Sequence, residues 1–94
     1  MFYIIKETSS KRGDKWTVNS RELHQGKMFL CLYDAVNYLE KLAQYYEHRT
    51  DRFCIVTRSA TRRAFSAHLM NSTGTLVFGA EYYAITKAVF YDEP

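Results

Sequence analysis

The residues of this 94-residue chain best suited to chemistry are two cysteines, Cys31 and Cys54, and three histidines, His24, His48 and His68. A thiol becomes a nucleophile when a neighbouring base or positive charge lowers its pKa. Cys54 beside His48 or His68 would make such a pair. Both cysteines, however, lie in apolar runs, Leu30-Cys31-Leu32 and Phe53-Cys54-Ile55. Those surroundings predict buried, reduced and inert thiols. A disulfide between them would need a geometry that sequence alone does not supply. As metal ligands the same residues form His24-x6-Cys31 and His48-x5-Cys54. Two imidazoles and two thiols suit zinc, but structural zinc sites hold their pairs about two to five residues apart on knuckles or one helix turn. Here the pairs straddle element boundaries, so no metal site is assigned.

Other catalytic and cofactor signatures are absent. The four glycines are scattered singly and build no phosphate loop; no Gly-x-Ser-x-Gly elbow and no His-Glu-x-x-His helix occurs. The chain reads as a non-enzyme without a cofactor. What remains is charge. Lys11, Arg12 and Lys15 surround one turn, Arg49 and Arg52 flank a helix exit, and Arg58, Arg62 and Arg63 punctuate a later connection. Arginine offers a planar fork of donors that fits phosphates and carboxylates alike. Lys11, Arg12, Lys15, Arg58, Arg62 and Arg63 are therefore the candidate partner-binding residues. Converging in space, they would track a nucleic-acid backbone with tyrosines available for stacking, or dock on an acidic protein surface. Standing apart, they are the charged turns that keep a β-rich protein in solution.

The elements that position these residues follow from periodicity. Phe2–Thr8 alternates as a strand, Ser9–Asp14 is a polar turn, and Lys15–Asn19 alternates again with Trp16 and Val18 on one face, giving a hairpin. Ser20–Lys27 is polar and reads as a loop; Met28–Leu32 reads as a third strand. Asp34 has the chemistry of a helix N-cap, with Tyr33 and Tyr38 placed for a hydrophobic staple. Ala35, Leu39, Leu42 and Tyr46 then mark one helical face, predicting a helix over 35–48 with His48 and Arg49 in its last turn. Phe53–Arg58 is a strand. Ser59–Leu69 fits a helix or a strand, and Asn71-Ser72-Thr73-Gly74, a hairpin-like loop, favours the strand. Thr75–Phe78 returns, Gly79-Ala80-Glu81 turns, and Tyr82–Tyr91 is a last β-rich stretch.

Together these predict one α+β domain over residues 1–94, with an antiparallel sheet of six to seven strands and one main helix on one face. Eight Tyr, six Phe and one Trp argue for an ordered core in so short a chain and against disorder. Tyr82, Tyr83, Phe90 and Tyr91 either line both faces of a covered final strand or, as rings in excess of one small core, suit a partner surface or a homodimer. The formal charge of +3 is mild, so the distribution of charge carries more information than its total. No apolar run reaches the ~20 residues of a membrane span, and the start lacks a secretory pattern, so a cytoplasmic protein is expected. In that setting the sequon Asn71-Ser72-Thr73 is turn chemistry.

The opening Tyr3-Ile4-Ile5-Lys6-Glu7, a second strand, and a later helix beginning at a small polar residue resemble small phage-encoded anti-CRISPR proteins. The resemblance covers the opening third of the chain. It implies stoichiometric inhibition by a compact domain that occupies a surface of a host protein or ribonucleoprotein complex. That family shares no catalytic motif, so the resemblance assigns no residue a role.

Overall fold

A computed structural model describes residues 1–87, in the order β1 (Phe2–Arg12), β2 (Lys15–Phe29), α1 (Leu32–Glu47), β3 (Cys54–Arg58), β4 (Ala64–Met70) and β5 (Val77–Lys87). The strands form one antiparallel sheet ordered β2-β1-β5-β4-β3. Three hairpins account for the close pairings β1–β2, β3–β4 and β4–β5. The remaining link, α1, carries the chain from one sheet edge to the other across a single face.

The α+β class and the one helix on an antiparallel sheet stand, but among the described residues the sheet has five strands rather than six to seven. Two expected breaks are absent. Ser20–Lys27 is strand, so Met28 ends β2 instead of starting a third strand. Its polarity has a physical origin: Ser20 and Glu22 lie on the helix-side face, but on an edge strand that α1 leaves in water. Gln25 and Gly26, at φ 52° and 61°, form a bulge within the strand and not a hairpin. Gly79-Ala80-Glu81 likewise does not turn, because β5 runs straight through it. Gly79 is buried under β1, and a Cβ there would stand 2.8 Å from the Ser9 carbonyl oxygen. The glycine serves close backbone approach. The part of the expected last stretch beyond Lys87, with Phe90 and Tyr91, lies outside the described residues.

The helix begins at Leu32, three residues before the expected start at Ala35, and closes at Glu47. Cys31 is its N-cap and makes no side-chain capping bond. Asp34 falls inside the first turn, where its charge still suits the positive end of the helix dipole. Tyr33 points to solvent, 71 % exposed, so no staple to Tyr38 forms. His48 is the C-cap and Arg49 follows it, leaving no basic residue in the last turn. The strand reading of the ambiguous 59–69 segment is the observed one, as β4.

Strand alternation places Ile4, Phe65, Ala67 and Tyr83 under α1, which supplies Leu39, Ala43 and Tyr46. Phe65 and Tyr83 stack at 5.0 Å between ring centroids. Cys54 and Val56 pack at the margin of this core, with Tyr38, Leu42 and Ile85. Neither thiol is the fully buried one expected: Cys54 is half-buried at the core margin, and Cys31, at the bend into the helix, is exposed. Both thiols are free.

Candidate functional site

The six candidate residues fall into two of the three predicted basic clusters, at opposite ends of the sheet. Lys11, Arg12 and Lys15 crown the β1–β2 hairpin, beyond the last β1–β5 pair at Ser10 and Gly79. Gly13, at φ 59°, makes that tight turn. Arg62 and Arg63 lie in the β3–β4 turn at the other end, where the Arg63 carbonyl accepts the Ile85 amide beside Ile4. From Ile4 to Lys11 the strand covers about 23 Å at its usual rise of ~3.3 Å per residue. The six residues therefore do not form one patch.

Arg58 is committed elsewhere. Its guanidinium donates to both oxygens of Glu40, at 2.9 Å each, and to both carboxylate oxygens of Glu47. This clamp ties β3 to α1, and Arg58 holds the Glu40 and Glu47 carboxyls below the usual carboxylate range. Arg62, at φ 63°, approaches Glu40 at 3.7 Å with most of its side chain in solvent. By contrast, among the described residues no ion pair engages Lys11, Arg12, Lys15 or Arg63. Lys11 instead lies 5.9 Å over the Trp16 ring. The helix-exit pair also divides. Arg49 makes a two-pronged bond to Asp51, at 3.0 and 2.8 Å, while Arg52 has no such partner among the described residues.

Each imidazole has a partner other than a thiol. His24 packs on the helix side, 3.1 Å from the Tyr38 hydroxyl and edge-on to Tyr83. His68 lies on the opposite face against Trp16. His48 bonds the Gln44 carbonyl at the helix end. Burial raises the Cys54 pKa, the direction that disfavours a thiolate. Among the described residues no three His, Cys, Asp or Glu side chains form a metal-binding group. A second polar network closes the core: Tyr46 donates to Glu81 and its hydroxyl lies 2.7 Å from that of Tyr83, with Lys6 4.0 Å from Glu81. Burial and these partners raise the pKa of Tyr46 above its ordinary range, and burial also raises that of Tyr83.

The largest feature that periodicity missed is the sheet face away from α1. Register assigns Trp16, Val18, Leu23 and Met28 of β2, Ile55 of β3 and Tyr82 of β5 to it, all exposed. No described element covers it. The signal in the sequence is broken by a bulge at Asn19, which shifts the pattern from Trp16/Val18 to Arg21/Leu23. Of the rings expected in excess, Tyr82 is exposed on this face, whereas Tyr83 is buried in the core. Among the described residues no helix is long and apolar enough to cross a membrane.

No family model, curated protein or solved structure matches this chain.

Proposed function

We propose that this protein is a non-enzymatic, cytoplasmic binding protein that occludes a surface of a larger protein or ribonucleoprotein, in the manner of the phage anti-CRISPR inhibitors that its opening resembles. The observation that carries the reading is the β1–β2 hairpin end. Among the described residues Lys11, Arg12 and Lys15 stand there without carboxylate partners, whereas Arg58 is consumed by Glu40 and Glu47. Uncompensated cations on a projecting turn attract and orient an anionic surface. Arg62 and Arg63 add a second contact at the far end, and Arg58 serves by holding their turn to the helix.

Affinity capture from host lysate with mass spectrometry tests this, comparing the native chain with K11A/R12A/K15A. A specific partner lost with the triple variant supports the reading. Capture of no specific partner at micromolar concentration, or of one indifferent to the variant, defeats it. Direct nucleic-acid binding is the second reading, favoured by the Lys11 ammonium over the Trp16 ring, which joins a phosphate-seeking charge to a stacking surface. It requires DNA or RNA affinity that falls steeply with salt and weakens in the same variant.

A further inference from the structure

The pairing register makes the tip of the β1–β2 hairpin cationic on both faces. Ile4 is buried under α1, and β1 pairs with β5 without a break from Phe2 to Ser10. Strand alternation therefore sets Ser10 and Arg12 on the helix side with Ile4. Lys15 stands directly across from Arg12 on that face. Lys11 falls on the opposite face, over the ring of its cross-strand partner Trp16. A flat partner could meet only one of these faces. Cations on both faces of one ribbon fit a cleft whose two walls are anionic.

The tip is also a free two-stranded ribbon. Pairing between β1 and β5 stops at Ser10 and Gly79, and Val77 pairs with Met70 of β4 instead. Two further cross-strand pairs, Lys11 with Trp16 and Arg12 with Lys15, lie beyond that point and lead into the turn at Gly13 and Asp14. From Ser10 to Gly13 the ribbon rises about 10 Å, at ~3.3 Å per residue.

We infer that this hairpin tip inserts into the major groove of double-stranded DNA, between the two phosphate backbones. The inference rests on the nucleic-acid reading of the hairpin and specifies the nucleic acid. The dimensions agree. The major groove of B-DNA is about 12 Å wide and ~8.5 Å deep and admits a two-stranded ribbon, whereas the minor groove is only about 6 Å wide. The major groove of duplex RNA is too narrow. The helix-side wall suits a phosphate. An open hollow of about 340 Å³ there is lined by Ser10, Arg12, Thr17 and Asn19. Each of these side chains carries a donor, and none is a carboxylate. Asn19 donates its amide to the Ser10 hydroxyl oxygen, which leaves the Ser10 hydrogen to donate outward. Lys11 serves the opposite wall. Asp14, the acid of the turn, makes no ion pair with these cations among the described residues. At the groove floor it would meet base edges, where a cytosine amino group donates to a carboxylate.

Fluorescence anisotropy of the full chain with short labelled duplexes tests the inference. Duplex DNA is expected to bind with a Kd of about 10 µM or tighter at ~50 mM salt, and duplex RNA at least about tenfold more weakly. Lys11→Ala, Arg12→Ala and Lys15→Ala, each checked for folding by circular dichroism, should each lower the salt slope by about one. Protein at saturation should also block methylation of guanine N7, a major-groove atom, by dimethyl sulfate. Unchanged methylation overturns the inference, and so does equal affinity for duplex RNA or single-stranded oligo(dT). A slope lowered by Arg12→Ala and Lys15→Ala but not by Lys11→Ala confines the contact to one face and overturns it too. If no DNA binds at about 100 µM, the inference fails outright. Partner capture from lysate that still depends on the three cations would then leave the occlusion reading standing. Groove binding with no specific protein captured would do the reverse.

Discussion

The indole of Trp16 on β2 meets the imidazole of His68 on β4 edge to face, at 5.8 Å between centroids, although β1 and β5 lie between their strands. Ser9 and Ala80 pair with each other and then with His68 across that gap, and their small side chains leave room for the ring. A T-shaped pair of this kind contributes about 0.5–1.5 kcal/mol beyond area burial. His68→Ala should therefore weaken the near-ultraviolet circular dichroism of the sole tryptophan while leaving the far-ultraviolet spectrum intact. An unchanged near-ultraviolet signal would mean that the two rings are not in contact.

Tyr46→Phe removes the hydroxyl that donates to Glu81 and accepts from Tyr83. A part-buried carboxylate then loses its strongest donor, since Lys6 is 4.0 Å away. The expected cost is about 1–3 kcal/mol in chemical denaturation. A loss smaller than about 0.5 kcal/mol would show that water replaces the hydroxyl at no penalty.

His24 gives stability a pH dependence. Burial, then the charges of Lys6 and Lys27, lower its pKa from the ordinary 6.5. The unfolded chain therefore takes up a proton at a higher pH than the folded one. The stability tied to neutral His24 is present above about 6.5 and is lost as pH falls from there toward the folded-state pKa. Urea midpoints measured from pH 8 to pH 5 should fall through that window, and His24→Asn should flatten this component. A midpoint that rises on acidification would reverse the sign.

Gly79→Ala introduces a Cβ 2.8 Å from the Ser9 carbonyl, an atom of the neighbouring strand that cannot rotate away. The strands must separate, at about 1–3 kcal/mol for forced overpacking. Thermal denaturation of the variant checks this. A midpoint equal to that of the native chain would place Gly79 in a looser part of the sheet.

Arg62 holds a left-handed backbone, φ 63°, which costs a non-glycine residue about 1–2 kcal/mol. Arg62→Gly relieves that strain, offset by the greater freedom of an unfolded glycine, for a net gain of about 0.5 kcal/mol. The same change removes a candidate contact at the far basic end. Greater stability with weaker partner capture would identify strain kept for binding, whereas lower stability would show that the exposed Arg62–Glu40 contact outweighs the strain.

Residues with one clear periodicity were legible. The hydrophobic face of α1 and the β-rich runs at Phe2–Thr8 and Phe53–Arg58 follow directly from spacing, and Asn71–Gly74 pointed to the strand pairing around it. Misreadings arose where one residue type served two physical ends. Gly79 read as a turn because glycine bends chains, yet it also lets strands approach. Ser20–Lys27 read as a loop because it is polar, yet an edge strand beyond its helix is polar for the same reason. Asp34 has capping chemistry, but the cap position went to Cys31, and Asp34 works through its charge. For the site, the basic residues were legible by type. Their separation was not, because it depends on β5 inserting between β1 and β4, and the Arg58 clamp depends on α1 bringing Glu40 and Glu47 over the end of β3.

That insertion also governs the order of assembly. β5 follows every other described strand in the chain, yet it supplies all the hydrogen bonds that join the β1–β2 hairpin to the β3–β4 hairpin. During synthesis the two hairpins share only the helix between them until residues 77–87 leave the ribosome. The sheet therefore zips shut from the middle in one late step, and a nascent chain stalled before Val77 should be as sensitive to protease as an unfolded one.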